Sequence, residues 1–208
     1  METEYQTIEA FAQDMFVEKR SKFICAAAPA ATEEEALRFI KERRERFWDA
    51  AHTVYAYRIR EGNLSRYSDD GEPQGTGGIP VLDVIRKEGL VDVAVAVTRY
   101  FGGTLLGAGG LVRAYSGGAS LALHAAKRVT MSLCAECEIR TDYSWYGTVS
   151  KLLPQFGAKT LDSAFTEEVR LRFLIREDRL ISFESALREA TAARAAAKVL
   201  EKRFAPLG

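Results

Sequence analysis

Glycine is concentrated in one stretch of this 208-residue chain. Residues 69–118 hold 12 of the 16 glycines. Glycine adopts positive φ without strain and, having no side chain, lets another backbone or a ligand come close. A cluster this dense therefore predicts a segment of unusual backbone geometry around which the fold is organised.

The glycines bracket two apolar runs of different periodicity. The run Val91–Thr98 is apolar or β-branched at nearly every position, which predicts a strand covered on both faces. Beyond Gly102-Gly103, the segment Leu105–Ala126 repeats apolar residues at helical spacing. The sequence thus predicts a strand, a glycine loop and a long helix in succession. The start of such a helix carries unpaired N–H groups and the positive end of the helix dipole, so it can hold an anion.

Two interpretations of this junction stay open. The glycines either let the helix pack tightly on the sheet, or they shape a site for a phosphate or carboxylate that Arg99 and Arg113 would complete. The spacing matches neither G-x-x-x-x-G-K-[ST] nor G-x-G-x-x-G followed by an acidic residue, so a standard nucleotide motif is absent. The glycines concerned are Gly102, Gly103, Gly107, Gly109 and Gly110.

Several motifs of the chain resemble the signature of a known family. They are RSKFI (20–24), HTVYAY (52–57), DGEPQGT (70–76), TRYFGG (98–103) and LGAGGLVRAY (106–115). Over essentially its whole length the chain resembles the IMPACT family, in its bacterial YigZ-like branch. It departs from the family pattern at Gly77, where alanine is usual. A glycine at this position is expected only to loosen the turn.

The order of patterns predicts an α+β protein of two domains. A linker is predicted near Lys127–Ser132, and from residue 133 glycine becomes scarce while strands and helices follow the order βαββαβ, typical of a ferredoxin-like domain. The resemblance implies that residues 1–130 have the βα fold of a ribosomal-protein domain shared with GHMP kinases. It also implies that residues 133–208 are similar to a terminal domain of an elongation factor.

Composition limits the class of protein. The 29 basic and 29 acidic residues give a formal net charge of +0, which argues against binding nucleic acid through bulk charge. No stretch approaches the ~20 apolar residues of a membrane span. Together with an acidic N-terminal segment, this predicts a cytoplasmic protein without a membrane partner.

Three cysteines, an odd number, predict free thiols. Cys134 and Cys137 form a C-x-x-C, but they lie in a predicted strand, where residues three apart face opposite sides. We therefore expect no metal site and no cofactor at this motif.

His52 and the loop after residue 68 are the candidates for catalysis. Asp70 and Glu72 could act as a carboxylate pair, bind magnesium, or stabilise a turn by accepting N–H bonds. Turn formation is favoured, because Asp-Gly and Glu-Pro are themselves turn signals. His52 begins a predicted strand, where a histidine is more often structural than catalytic. It would gain a role if the acidic loop lay beside it in the same sheet.

Three further segments bear on function. A basic strand that includes Lys22 is predicted at about residues 16–28. A helix is predicted over residues 78–88, with Thr76 as its cap. The charged run KERRERF (41–47) is typical of a solvated helix face, with a partner surface as the alternative.

The favoured functional hypothesis is a non-enzymatic binding protein that acts in translation or the stress response. The resemblance implies it, because eukaryotic members resemble regulators that compete for an activator of the stress-responsive initiation-factor kinase. The expected partners are a translation-related protein or the ribosome, and RNA, for which Tyr55, Tyr57 or Tyr100 are stacking candidates. The alternative is that the tyrosines of the sheet belong to the core. The predicted binding residues are Lys22, Asp70, Gly71, Glu72, Arg99, Tyr100, Gly102, Gly103, Gly109, Gly110 and Arg113.

The alternative hypothesis is an enzyme, or a binder of a small molecule or a nucleotide phosphate. It would use the DGEP loop and the RYFGG junction, with an anion at the helix start and with His52, Asp70 and Glu72 as catalytic candidates. This hypothesis predicts a concave pocket where those residues converge. The binding-protein hypothesis predicts instead an open, positively charged face, and salt-sensitive binding if the partner is nucleic acid.

Overall fold

The computed structural model describes residues 3–207, which form two compact units. One unit is Gln6–Val129, and the other joins residues 3–5 to residues 130–207. The strands are β1 (Glu4–Ile8), β2 (Ala12–Glu18), β3 (Ser21–Pro29), β4 (His52–Ile59), β5 (Leu64–Ser68), β6 (Val93–Tyr100), β7 (Arg128–Thr141), β8 (Lys159–Phe165), β9 (Val169–Arg176) and β10 (Ala197–Pro206). The helices are α1 (Glu33–Arg46), α2 (Gly78–Lys87), α3 (Ala108–Ala125), α4 (Tyr143–Gln155) and α5 (Glu177–Ala190). The predicted α+β class with two domains is confirmed.

The sheet of the first unit has β6 at its centre. Its strands lie in the order β2-β3-β6-β4-β5, and all neighbours are antiparallel. Val93, Val95 and Val97 pack on the face covered by α2 and α3, whereas Ala94 and Ala96 pack on the face covered by α1. The prediction of a strand buried on both faces is confirmed, because helices cover β6 from both sides.

A hairpin replaces the single strand predicted over residues 16–28. β2 and β3 pair in register from Glu18 opposite Ser21, with Lys19 and Arg20 as the turn. Both turn residues have positive φ, of 46° and 68°. Two-residue hairpin turns require that geometry, but it is usually supplied by asparagine or glycine. The prediction was wrong here because Lys-Arg carries no turn signal.

The second unit has the predicted ferredoxin-like order. β7, α4, β8, β9, α5 and β10 follow one another. The five-stranded sheet has the order β1-β7-β9-β8, and β10 also pairs with β7; the pairs β10–β7, β7–β9 and β9–β8 are antiparallel. The boundary between the two units, after Val129, falls within the linker predicted near Lys127–Ser132, but that segment is not a loop, because β7 begins at Arg128 and continues to Thr141. Cys137 packs under the helices and Cys134 lies in a cluster on the other face, and both are free thiols.

Among residues 3–207, no helix has the length and apolar character needed to cross a membrane.

Candidate functional site

Strand register in the first unit places His52 beside Arg99. Arg99 on β6 is directly opposite His52 on β4 and opposite Phe23 on β3. All three lie on the sheet face that α2 and α3 cover, because Phe23 belongs to that core. The loop after β5 approaches the same point, so that Nε2 of His52 is 4.0 Å from Oε2 of Glu72. The acidic loop and His52 are therefore neighbours in space.

Glu72 is a buried carboxylate whose charge is compensated. Its side chain is 3% exposed, and its Oε1 accepts hydrogen bonds from Nη1 of Arg99 at 2.7 Å and from the Tyr115 hydroxyl at 2.6 Å. The Arg99 guanidinium also lies 5.7 Å from the centroid of Phe23 and 5.4 Å from that of Phe101. A buried ion pair is tolerated when further hydrogen bonds satisfy both partners, and Tyr115 supplies one. Burial, followed by the bond to Glu72, raises the pKa of Tyr115 far above its usual range.

The backbone fixes the tautomer of His52. Its Nδ1 is 2.7 Å from the carbonyl oxygen of Asp70. Since a carbonyl oxygen only accepts, Nδ1 must carry the proton of this bond. In the tautomer protonated at Nδ1, Nε2 is the nitrogen nearer Glu72 and can accept a hydrogen bond.

Asp70 supports the loop from outside the cavity. Its Oδ2 accepts the backbone N–H of Thr53 at 2.6 Å, and its Oδ1 contacts Arg44. Asp70 itself has a φ of 48°. Both carboxylate oxygens are therefore occupied in holding the loop against β4 and α1, which favours the turn-forming interpretation of this residue.

Asp69 is a site-supporting residue that the sequence did not indicate. Its carboxylate accepts the backbone N–H groups of Gly75, Gly77 and Gly78 at 2.7 to 2.9 Å, so Asp69 caps α2. Burial of this carboxylate opposes ionisation, but the three N–H donors outweigh it and lower the pKa of Asp69. The prediction that Thr76 caps α2 was wrong, because its hydroxyl donates to the carbonyl of Pro73.

Gly77 is required by packing. A Cβ at this position would lie 2.9 Å from Cγ2 of Val54, a residue of the core. Alanine would therefore force Val54 to move. The expectation that glycine here only loosens the turn was wrong.

A cavity of about 320 Å³ opens where these groups meet. Its polar wall is formed by His52, Glu72 and Arg99, and the first residues of α3 border it. The apolar part of the lining is Pro73, Phe101, Leu105, Leu106, Ala108 and Leu111. The structure thus brings together two of the three catalytic candidates, while Asp70 does not line the cavity.

The start of α3 is open on the cavity side. Its N-cap, Gly107, has a φ of 74° and provides no capping side chain. The first hydrogen bond of the helix runs from the N–H of Leu111 to the carbonyl of Gly107. Within residues 3–207, the N–H groups of residues 108–110 have no acceptor.

The two interpretations of the glycines apply to different positions. A Cβ at Gly102 would lie 2.1 Å from the carbonyl carbon of Arg20, and a Cβ at Gly118 would lie 2.8 Å from Sγ of Cys25. These two glycines allow close packing. Gly103 and Gly107 have positive φ, and a Cβ on either would meet nothing within 4 Å. They leave the backbone exposed at the loop.

Lys22 and Tyr100 lie away from the cavity. They are opposite each other on β3 and β6, on the sheet face that α1 covers, and the Tyr100 hydroxyl donates to Asp49. Tyr57 is 3% exposed, so the hypothesis that it stacks on RNA was wrong. Tyr55 is half-buried, with the Arg44 guanidinium 5.4 Å from its ring centroid.

Arg113 borders a different cavity. It is exposed on α3 and, with Lys19 and Phe16, lines a cavity of about 420 Å³ between α3 and the β2–β3 hairpin. Gly110 lines this second cavity too. Arg113 also approaches the first turn of α3, since a Cβ at Gly109 would be 3.6 Å from its Nη1.

Known families match both units. Residues 19–123 match the model of the Impact N-terminal domain. The chain belongs to the IMPACT family. Residues 139–194 match a second model, described as a domain of unknown function, DUF1949. Family membership relates the chain loosely to translation and its regulation, and fixes no specific activity.

The relatives cover nearly the full chain. The IMPACT family member YvyE of Bacillus subtilis is 35% identical over 188 residues, which is 90% of this chain and 87% of that protein. The IMPACT family member YigZ of Escherichia coli is 33% identical over 172 residues, 81% of this chain and 84% of that protein. A crystal structure described as a hypothetical protein superposes with a TM-score of 0.62 at 28% identity, covering 97% of this chain and 99% of the other. The YigZ-like branch inferred from the motifs is thereby confirmed.

Proposed function

We propose that this chain is a non-enzymatic binding protein of translation or its regulation, and that it contacts ribosomal RNA through one surface of its first unit. We call this the glycine-loop surface. It consists of the turn Lys19-Arg20, the loop 101–107 and the first residues of α3 up to Arg113. The observation that carries the proposal is the combination, on this surface, of unpaired cations with exposed apolar side chains.

The cations are free to meet phosphates. Lys19, Arg20 and Arg113 are exposed, and none lies within ion-pair distance of a carboxylate in the part of the chain that the structure describes. Glu18 lies on the wall of the cavity that Lys19 and Arg113 share. A cation without an ion-pair partner breaks no existing ion pair when it binds a phosphate. Each such contact also releases counterions from the nucleic acid, which favours binding.

The apolar side chains suit unpaired bases. Phe101 is 52% exposed and Leu105 is 81% exposed, in a loop where Gly103 and Gly107 leave the backbone accessible. Bases stack on exposed aromatic rings with little regard to sequence. Single-stranded segments or loops of RNA fit this surface better than a regular duplex does.

The experiment measures binding of the full chain to ribosomes and to fluorescent ribosomal RNA fragments. For three phosphate contacts we expect affinity to fall about 20-fold between 50 and 200 mM salt. A variant combining Lys19→Glu and Arg20→Glu should lose binding. The control combines Arg66→Glu and Lys87→Glu, which change the same number of exposed charges elsewhere on the unit.

Two results would contradict the proposal. One is equal RNA binding by both double variants. The other is capture of ribosomal proteins that survives complete RNase digestion, because a protein and not RNA would then be the partner.

A further inference from the structure

β2 is an edge strand of the sheet in the first unit. Among the described residues it pairs with β3 alone. The turn at residues 19–20 closes this hairpin, and the pair of residues that flanks a two-residue turn is hydrogen-bonded, so every second residue back from Glu18 bonds to β3. The residues between them are Gln13, Met15 and Val17. Their N–H and C=O groups therefore point away from the sheet.

A contact within β2 agrees with this assignment. The N–H of Met15 donates at 2.7 Å to Oδ1 of Asp14, its neighbour in the chain, in an exposed position. That N–H is thus directed away from β3. It uses a local acceptor at the surface, which the backbone of another strand can replace.

β2 lacks the features that keep edge strands from pairing. Such features include a proline, a lysine, a bulge and a short length. β2 has seven residues, none of them proline, lysine or arginine, and its register with β3 is unbroken. The opposite edge of the sheet, β5, has five residues and carries Arg66. The edge strand β8 of the second unit has an irregular register after Thr160. Of these three edges, β2 is the least protected.

One face of β2 exposes apolar side chains. Met15 is 51% exposed and Val17 is 60% exposed. They alternate with Phe16, which packs on the core under α2 and α3. Phe11, just before the strand, is 50% exposed, and its ring centroid is 6.3 Å from that of Phe39 on α1. An added strand would bury apolar surface at this edge as well as pair with its backbone.

We propose that β2 pairs in antiparallel orientation with β2 of a second copy of this chain, which joins two five-stranded sheets into one of ten strands. A second copy offers the same open edge, and two-fold pairing is the commonest symmetry of homo-oligomers. The axis passes through Met15, the middle residue of the seven, so that both strands are paired over their full length. The pairing goes beyond the proposed function, because it requires no RNA.

The charges of β2 select this register. The strand carries two acidic residues, Asp14 and Glu18, and no basic one. With Met15 on the axis, Asp14 faces Phe16 of the second copy. Glu18 faces Ala12. An axis at residue 14 would place Asp14 opposite Asp14, and an axis at residue 16 would place Asp14 opposite Glu18. Like charges directly opposite each other destabilise a strand pair, so both shifted registers are less stable.

Disulfide crosslinking of the full chain tests the pairing and its register. On the axis, the two Cα atoms of residue 15 would be about 5.5 Å apart, within the range that a disulfide spans. Met15→Cys should therefore form a covalent dimer on mild oxidation. Gln13→Cys is the matched control, because its two copies would be roughly 13 Å apart along the strands, too far for a disulfide. Both positions are exposed, whereas the three native thiols are buried, so the wild-type chain should stay uncrosslinked.

Sedimentation velocity measures the association without a crosslink. Met15→Lys removes apolar surface and places two cations opposite each other, and should raise the dissociation constant of the dimer about tenfold or more. The matched control is Tyr67→Lys on β5, since Tyr67 is 47% exposed at the other edge of the sheet. It should leave the association unchanged. Thermal unfolding checks that both variants remain folded.

Four results would overturn the pairing. One is a wild-type chain that remains monomeric at high micromolar concentration. Another is a dimer in which Met15→Cys forms no crosslink, or no more than Gln13→Cys does. The third is equal weakening by Met15→Lys and Tyr67→Lys, which would place the interface elsewhere. The last is a monomer that loses ribosome binding on Met15→Lys, because the edge would then serve a different partner.

Discussion

At the scale of single residues, the buried Glu72 is the most consequential feature of the first unit. A carboxylate that is 3% exposed is stable only while its hydrogen bonds persist. Arg99 provides the opposite charge, and the Tyr115 hydroxyl provides a second donor to the same oxygen. The stability of the unit should therefore respond to the loss of one hydroxyl group.

Tyr115→Phe tests this dependence. The change removes the hydroxyl and leaves Glu72 with one donor fewer in a buried site. We expect the free energy of unfolding to fall by about 1–3 kcal/mol, as measured by urea unfolding. The matched control is Tyr67→Phe, since Tyr67 is 47% exposed and its hydroxyl has no hydrogen bond within the described chain. Equal effects of the two changes would show that the bond to Glu72 adds nothing.

At the scale of elements, α2 and α3 start differently although both begin in glycine-rich segments. Asp69 holds the start of α2 and so fixes the loop that carries Glu72. Within residues 3–207, no side chain caps the start of α3. One helix start is therefore structural, and the other is the more accessible of the two for a ligand.

Asp69→Asn should destabilise the protein by about 1–2 kcal/mol at neutral pH, because the amide keeps one oxygen that can accept neutral bonds from Gly77 and Gly78, and its NH2 group cannot accept the N–H of Gly75. The pKa of Asp69 is lowered in the folded state, so its contribution is present above the unfolded-state pKa and is lost as the pH falls through the folded-state pKa. The difference from wild type should thus shrink below about pH 4. Urea unfolding across pH measures it.

The control for that change is Asp83→Asn. Asp83 lies on α2 and is 63% exposed, so its effect should stay within about 0.5 kcal/mol at every pH. A constant penalty for Asp69→Asn down to pH 2 would contradict the assignment of Asp69 as an ionised cap.

The contact between the glycine loop and the hairpin turn can be tested at Gly102. A Cβ there would lie 2.1 Å from the carbonyl carbon of Arg20, so Gly102→Ala must displace one of two backbones. We expect a loss of about 1–3 kcal/mol in unfolding free energy. Gly117→Ala should instead add about 0.5–1 kcal/mol, because it lies in a helix with open space around it. A neutral Gly102→Ala would mean that the two backbones separate freely.

At the scale of the whole molecule, the reactivity of three buried thiols shows whether each of the two units is folded. Cys25 belongs to the first unit, and Cys134 and Cys137 belong to the second. Burial, followed by the charge of Asp14, raises the pKa of Cys25 to about 12. Burial, followed by the charges of Glu184 and Glu136, raises the pKa of Cys137 to about 11. Since the thiolate is the reactive form, native thiols should react slowly.

Labelling with a disulfide reagent at pH 8 checks this expectation. The native chain should react far more slowly than a variant with the exposed change Ser163→Cys, and all three native thiols should react once urea unfolds both units. Rapid reaction of Cys134 and Cys137 as a pair in the native protein would instead favour a redox or metal role for the C-x-x-C.

The sequence by itself determined the local elements, because periodicity and glycine spacing act over a few residues. β6, the glycine loop, α3 and the βαββαβ order were all predictable in this way. The Lys19-Arg20 turn was missed, since its geometry is imposed by the pairing of β2 with β3.

Only the tertiary structure decided the composition of the site. The pairing of β4 with β6 places His52 opposite Arg99, and the packing of α3 brings Tyr115 to Glu72. The assignment of Asp69 as the cap of α2 likewise depends on the path of a loop. Such contacts join residues far apart in the chain, and their free energy comes from burial and compensation of charge, which no local pattern encodes.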